Sequence, residues 1–234
     1  VMADLEHRDG LRAVVVTGTP PAFCVGGDSD ALAGHVDKGG YDTGLPPEPA
    51  QPGAGDIFQG RLNADFAWQL GYRLPIIAAV NGACLGGGIE LLLAADIRYA
   101  APHATFGLPE VKWAIYPFGG AAAKLVHQID HVHAMKLLLS AENIDAEDAA
   151  RIGLINEVVP AEHLIERAII TAEGIASNSP MAVQAVKRFV ATGAAEQAEA
   201  REPFEQALGD AVRASPDFVE GVAAFRERRQ PSYE

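Results

Sequence analysis

The sequence is poor in cysteine and in basic residues. Cys24 and Cys84 are the only cysteines among its 234 residues, so a disulfide framework is not expected, and a reducing compartment such as the cytoplasm is the simpler location. It has 18 basic and 31 acidic residues, and the resulting formal charge of −13 opposes sequence-independent attraction to nucleic acids or anionic membranes. The opening residues lack the pattern of a secretory signal, which is therefore not predicted. A ligand with phosphate groups would need local basic side chains.

The first half of the chain alternates strand-like and helix-like segments. A β-branched run over 11–18 ends at a glycine and predicts a strand buried on both faces of a parallel sheet. Apolar residues at helical spacing predict a helix over 57–74. The runs 76–80 and 97–100 predict two further strands on either side of a short helix over 89–95. This order indicates an α/β fold, and an apolar content of 49% is enough to bury a sizeable core.

Two segments depart from that alternation. Glycine and proline recur too densely over 36–60 for regular structure, and a loop of that length predicts a functional lid or a mobile surface segment. Beyond Pro117 the chain becomes helical, with one strand-like run over 155–159. The Ser-Pro pairs at 179–180 and 215–216 join a capping hydroxyl to a proline at the first helical position, and each predicts a helix start. The last third is therefore expected to be a helical subdomain.

Glu90 is the only charged residue between Arg73 and Asp96, in a stretch of apolar residues and glycines. A transmembrane helix has about this length, but a proline, an Asn-Gly turn and three consecutive glycines over 86–88 interrupt it. A second interpretation is a core glutamate held by a hydrogen bond or an ion pair. The third is a carboxyl group whose pKa is raised by burial, near a glycine-rich helix start whose free amides could bind an oxyanion.

Several blocks of the sequence, in a fixed order, carry a family pattern. They are residues 12–18, 22–28, 77–91, 106–111, 117–120, 134–139, 149–159 and 225–229. The block around Glu90 strongly resembles the signature of the crotonase superfamily, the enoyl-CoA hydratase/isomerase family. The other blocks resemble the segments that accompany this signature in the family. Members of the family usually carry a further strand, a hairpin and most of a helix before the first block.

The resemblance implies a spiral of ββα turns over 1–175 and a C-terminal helical region over 176–234, assembled as trimers or dimers of trimers. It implies Glu90 and Glu110 as the catalytic carboxylates, and the amides of Gly27 and Gly87 as the oxyanion hole for an acyl-coenzyme A thioester. Coenzyme A is then part of the substrate, and no separate cofactor, metal, nucleic acid or membrane is implied. The residues expected to contact the substrate are Ala22, Phe23, Val25, Asp28, Gly86, Trp113, Pro117 and Phe118.

A pair of glutamates favours hydration among the reactions of this family. Hydration needs one group to deprotonate water and another to place a proton on the α-carbon, and two carboxyl groups beside one water can do both. The sequence therefore predicts an enoyl-CoA hydratase, a cytoplasmic hydro-lyase of fatty acid metabolism. An enoyl-CoA isomerase, which can work with one such group, is an alternative. A non-catalytic acyl-CoA-binding or RNA-associated member is a further alternative, from a different functional class.

Some of these residues also admit simpler roles. Without the family block, a solvated glutamate in a turn is as good an interpretation of Glu110 as a catalytic carboxyl group. Asp28 is better suited to a helix cap or a turn than to the role of a catalytic acid. His127, His131 and His133 include a pair four residues apart, a spacing that can bind zinc on one helix face. No cysteine or carboxylate pattern completes such a site, and a solvated helix end is the simpler interpretation.

Overall fold

The first six described strands are short and enter two sheets alternately as the chain advances. A computed structural model describes residues 5, 8–26 and 72–233, without the side chains of 194–199 and 202. The strands in this part are β1 Val14–Thr17, β2 Ala22–Cys24, β3 Ile76–Val80, β4 Ala83–Leu85, β5 Ile97–Ala100, β6 Thr105–Gly107, β7 Ile144–Asp145 and β8 Glu157–Val158. One sheet has the order β1-β3-β5-β8 and is parallel throughout. The other has the order β2-β4-β6-β7 and is parallel except for the antiparallel pair β6 and β7.

Helices connect and follow these strands. They are α1 Gly87–Leu92, α2 Ala121–Gln128, α3 His131–Ser140, α4 Ala146–Arg151, α5 Leu164–Ala176, α6 Pro180–Arg213 and α7 Pro216–Glu227, with short 3-10 helices at Glu110–Trp113 and Ala161–His163. The hydroxyls of Ser179 and Ser215 accept the amides of Ala182 and Phe218, so α6 and α7 begin at the two predicted Ser-Pro starts.

The strand β3 forms the centre of the core, because all of its residues are buried. One of its faces, with Ile76 and Val80, belongs to the main apolar cluster. The other face, with Ile77 and Ala79, packs in a second cluster that includes Leu164 of α5. A strand with covered faces needs apolar residues at every position, which explains why the run over 76–80 does not alternate.

Several predicted boundaries need correction, although the predicted α/β class is confirmed. The strand expected over 11–18 forms only at Val14–Thr17. It is half-buried rather than buried on both faces, because it lies at the edge of its sheet as far as the chain is described. The strand expected over 155–159 shrinks to Glu157–Val158, since only these residues pair with β5. The helix expected over 89–95 begins earlier and ends at Leu92.

Two other expectations concern segments that the structure covers only in part. The predicted lid over 36–60 lies outside the described residues. So does the predicted helix over 57–74 except for its last residues, 72–74, which are irregular. The chain beyond 176 consists mainly of α6 and α7, while the division at 175 remains a prediction. Within the described ranges, no helix has the length and apolar character needed to cross a membrane.

Candidate active site

The start of α1 presents a backbone amide at the ends of two neighbouring strands. Gly86 follows β4 with φ +56°, and its amide donates to the carbonyl of Gly107 at 2.9 Å. Gly87 then opens the helix, and no described residue accepts a hydrogen bond from its amide. A Cβ on Gly88 would lie 2.1 Å from the Cys24 carbonyl oxygen, so only glycine lets the helix approach β2 this closely. Within the described part of the chain, the Gly87 amide is therefore a hydrogen-bond donor without an acceptor at a helix N-terminus.

Glu90 is buried on α1 and lies against a glycine of another loop. Glu90 is one of the few charged residues that are buried, and only 9% of it is exposed. A Cβ on Gly119 would lie 2.2 Å from Glu90 Oε2, and Gly119 has φ +74°. Position 119 thus requires glycine both for its backbone conformation and for the space that the carboxyl group occupies.

The environment of Glu90 favours its protonated form. The pKa of Glu90 is raised from 4.5 to about 8, mainly by burial and next by the negative charge of Glu110. The ammonium group of Lys124 acts in the opposite direction, and Glu205 of α6 adds to the increase. The interpretation of Glu90 as a buried carboxyl group with a raised pKa agrees with this environment.

Glu110 begins the first 3-10 helix, directly after Pro109. A Cβ on Gly86 would lie 3.0 Å from Glu110 Oε1, which places this carboxyl group beside the start of α1. Glu110 Oε2 is buried and has no hydrogen-bond partner among the described residues. Burial raises the pKa of Glu110 from 4.5 to about 7. An uncompensated buried oxygen is costly in a folded protein, which makes it a candidate for contact with a ligand.

The two carboxyl groups therefore lie close to the same peptide. Glu110 Oε1 is next to Gly86, and Glu90 Oε2 is 3.9 Å from the position that a Cβ on Gly87 would take. With both pKa values raised into the neutral range, the pair can hold one proton between its two members. Such a pair can accept a proton at one oxygen and donate a proton at another, beside a free amide that can receive negative charge.

Lys124 also belongs to this site, although the sequence analysis did not predict it. It lies on α2, is only 6% exposed, and its amide donates to Gly120 at 2.8 Å. Burial lowers the pKa of Lys124 to about 8, while the charges of Glu90 and Glu205 favour its ammonium form. A lysine in an alanine-rich helix gives no local signal of such a role, because its carboxylate neighbours come from distant parts of the chain.

The predicted substrate segment after β1 is described only in its first part. Ala22 is half-buried, Phe23 is buried in the main core, and Val25 is 59% exposed. Gly27 and Asp28 lie outside the described residues. Gly26, which was not predicted, has φ +90°, and a Cβ there would lie 3.1 Å from the Gly87 nitrogen. The segment thus reaches the start of α1 immediately before Gly27.

Trp113, Pro117 and Phe118, which were also expected to contact the substrate, have different surroundings. The ring of Trp113 packs against Phe225 with its centroid 5.1 Å away. Phe118 is buried against α6, where a Cβ on Gly209 would meet its ring at 1.8 Å. Pro117 borders a mainly apolar cavity of about 840 Å³. Their contact with a substrate remains a prediction.

The two cysteines form no disulfide, and the described histidines form no metal site. Cys24 and Cys84 are free thiols on neighbouring strands. In the described ranges 8–26 and 72–233, no group of three histidine, cysteine or acidic side chains is arranged to hold a metal ion. His131 and His133 occupy the first turn of α3, while His127 lies in the last turn of α2, so the proposed pair is split between two helices.

Replacing Glu90 by glutamine should stabilise the protein at alkaline pH. The folded pKa of about 8 lies above the ordinary value of 4.5, so the carboxyl group contributes its full stability below pH 4.5 and loses it as the pH rises to about 8. The loss is about 5 kcal/mol, so Glu90→Gln should raise Tm at pH 8.5 by roughly 10 °C. Thermal unfolding at pH 4.5 and pH 8.5 measures the difference.

Glu173→Gln is the matched control for this measurement, because Glu173 is exposed on α5. It should leave the difference in Tm between the two pH values as it is in the unmodified protein. A Glu90→Gln protein whose Tm follows that of the unmodified protein at both pH values would contradict a buried, neutral Glu90.

Comparison with known proteins gives one consistent result. A family model described as Enoyl-CoA hydratase/isomerase matches residues 1–234. Enoyl-CoA hydratase EchA19 of Mycobacterium tuberculosis (strain ATCC 25618 / H37Rv) is 36% identical over 236 aligned positions, which cover 98% of this chain and 82% of that protein. The 2,3-dehydroadipyl-CoA hydratase of Escherichia coli (strain K12) is 36% identical over 223 positions, which cover 95% of this chain and 81% of that protein.

A solved structure is similar over the same length. The crystal structure of carnitinyl-CoA hydratase from Mycobacterium avium aligns with a TM-score of 0.77 and 36% sequence identity. The alignment covers 100% of this chain and 85% of that one.

Proposed function

This chain belongs to the enoyl-CoA hydratase/isomerase family, and we propose that it is a hydro-lyase that adds water reversibly to a 2-enoyl-CoA thioester. The predicted superfamily and its crotonase-like fold are confirmed by the full-length family match and the structural similarity. The observation that carries the proposed reaction is the pair of carboxyl groups close to the Gly86–Gly87 peptide, that of the buried Glu90 and that of Glu110 with its buried Oε2.

The first chemical step needs a base and a site for negative charge. One carboxylate removes a proton from water, and the resulting oxygen nucleophile forms a bond to C3 of the enoyl group. The electron pair of the C2–C3 double bond moves to C2 and is shared with the thioester oxygen as an enolate. In this proposal the Gly87 amide, which has no acceptor among the described residues, donates to that oxygen.

The second step returns a proton to carbon. A carboxylic acid donates its proton to C2, which restores the thioester carbonyl and gives a 3-hydroxyacyl-CoA. A pair that holds one proton suits both steps, since one member is the base while the other is the acid. At neutral pH and without substrate, burial raises the pKa of both groups and therefore favours a pair that keeps a proton.

The rest of the proposal follows from the family. We propose Gly27 as the second donor of the oxyanion hole, because Gly26 already approaches the Gly87 nitrogen. The acyl-CoA substrate brings its own coenzyme A, and no other cofactor enters these steps. The cytoplasm is the proposed compartment, in accord with the two free cysteines.

A trimer or a dimer of trimers is the proposed assembly. Large apolar side chains are exposed on α6, among them Met181 at 80% and Phe189 at 84%, and such residues are suited to an interface between subunits. The molar mass in solution decides this point, and a mass of one chain would contradict it.

A panel of thioesters with product identification tests the reaction. Short, long, branched and dicarboxylic 2-enoyl-CoA substrates should each be examined by mass spectrometry, which reports a gain of one water on hydration. We expect 3-hydroxyacyl-CoA products from at least one class, and the reverse dehydration when the hydroxyacyl compound is supplied.

Other products would separate the alternatives. A 3-enoyl-CoA product of unchanged mass would indicate double-bond isomerisation instead of hydration. Tight thioester binding in calorimetry without any product would indicate a non-catalytic member of the family.

A further inference from the structure

The backbone that carries Glu110 is a short element with little stability of its own. Glu110–Trp113 forms a single 3-10 turn, and it ends at Ala114, which has the left-handed φ of +51°. Its internal bonds include Lys112 to Pro109 at 3.1 Å and Ala114 to Val111 at 3.3 Å. Such turns have weak hydrogen-bond geometry and are rarely stable alone. The position of Glu110 must therefore depend on the elements that pack against this turn.

The helix α7 packs against the turn through its backbone. A Cβ on Gly221 would lie 2.2 Å from the Trp113 carbonyl oxygen, so this helical position needs glycine for the contact. The Trp113 ring lies edge-on to Phe225, with centroids 5.1 Å apart. The ammonium group of Lys112 covers the same tryptophan ring at 4.8 Å. One side of the turn is thus covered by residues more than one hundred positions later in the chain.

The residues after α7 return to the turn and add a hydrogen bond. Tyr233 Oη donates to the Lys112 carbonyl at 2.7 Å. Ion pairs hold the preceding residues against α7, because Arg229 contacts both carboxylate oxygens of Glu220 and also Glu227. The Ser232 amide donates to Glu220 at 2.8 Å. Because of these contacts, the pKa of Glu220 lies at about 2, and the carboxylate stays charged at neutral pH.

We propose that Tyr233 is a positioning residue for catalysis, since its hydroxyl fixes the turn that carries Glu110. The inference rests on the proposed function, in which Glu110 is a working carboxyl group. Tyr233 acts through the Lys112–Trp113 peptide and not on the substrate. Its role is to hold in one orientation the turn that carries Glu110, whose buried Oε2 has no hydrogen-bond partner among the described residues.

Removal of the Tyr233 hydroxyl is the sharpest test, because Tyr233→Phe keeps the ring. We expect kcat to fall by roughly 3- to 10-fold, because small misplacements of a catalytic group reduce the rate strongly, while KM changes by less than about twofold. The pKa of Glu110 should fall from about 7 toward its ordinary value as water gains access. Carbon-13 NMR of labelled glutamate measures this pKa, with Glu110 assigned by its loss in Glu110→Gln. Glu90 is the coupled carboxyl group, so the titration is repeated in Glu90→Gln.

Two further variants complete the experiment. Gly221→Ala pushes on the Trp113 carbonyl from α7 and should reduce kcat by roughly 100-fold, with the same direction of change in the pKa of Glu110. Val219→Ala is the matched control, because Val219 is 54% exposed on the same helix and should leave kcat and this pKa unchanged.

The outcomes separate the two proposals. A Tyr233→Phe enzyme with unchanged kcat and an unchanged pKa of Glu110 would overturn the positioning role, and so would a lower Tm without either change. Full activity in Glu110→Gln would instead contradict the proposed function, whatever Tyr233→Phe does.

Discussion

Glu110→Gln is expected to reduce kcat for hydration by about three orders of magnitude, within the 10²- to 10⁴-fold range typical of a lost general acid or base. Glutamine keeps the shape of the side chain but can neither accept nor release a proton at neutral pH. The loss should appear in kcat, while KM for the thioester changes little, because the carboxyl group works on the proton and not on the coenzyme A moiety. Steady-state kinetics with the best thioester of the panel gives both constants.

Glu110→Gln should also change the pKa of Glu90. The charge of Glu110 is one of the causes that raise the pKa of Glu90, so this pKa should fall when the charge is removed. Glu90→Gln should cost a similar factor in kcat, and the double variant should cost little more than either single one, because the two groups act as a unit. A kcat for Glu110→Gln within about threefold of the unmodified enzyme would contradict the assignment.

Gly119→Ala should reduce kcat/KM by about 100-fold, although residue 119 carries no reactive group. The new Cβ would lie 2.2 Å from Glu90 Oε2 and 2.5 Å from its carboxyl carbon, so Glu90 must move by more than about 1 Å to restore a normal contact. A displacement of this size at a catalytic group costs on the order of 10²-fold in rate. The left-handed φ of +74° adds a general destabilisation of about 1–2 kcal/mol for alanine.

Gly153→Ala separates these two effects. Gly153 has nearly the same backbone conformation, with φ +78°, but its added Cβ would meet no atom within 4 Å. It should show the loss of Tm that comes from backbone strain and keep its activity within about twofold. Equal loss of activity in both variants would show that the contact between Gly119 and Glu90 is irrelevant to catalysis.

The sequence predicted elements best where local chemistry determines them. The apolar run Ile76–Val80 formed a strand with the predicted bounds, because every position of a buried parallel strand favours an apolar residue. The segment Ile97–Ala100 also formed a strand with the predicted bounds. Ser179 and Ser215 predicted the helix starts because capping and the fixed φ of proline are local effects. By contrast, the three-residue strands β2, β4 and β6 depend on pairing with distant partners and left no readable signal.

The site was predicted as a set of residues but not as a geometry. Glu90 was recognisable as a charge in an apolar run, and the resemblance added Glu110 and Gly87. The structure adds the contact of Glu90 with Gly119 and the electrostatic influence of Lys124, which join parts of the chain that no local pattern connects. The hydrogen bond of Tyr233 to Lys112 spans 121 positions, and no spacing rule could have found it.

The hydrogen bond of Tyr233 to Lys112 affects how the enzyme loses activity. Segments held by few contacts open locally at free energies far below that of global unfolding. Residues 228–233 follow α7 without regular structure and Tyr233 is 40% exposed, whereas the strand β3 is buried throughout. Local opening of this segment would therefore release the turn of Glu110 while both sheets stay folded. The durability of catalysis in this protein is set by the segment that follows α7, and the stability of its core gives only an upper limit.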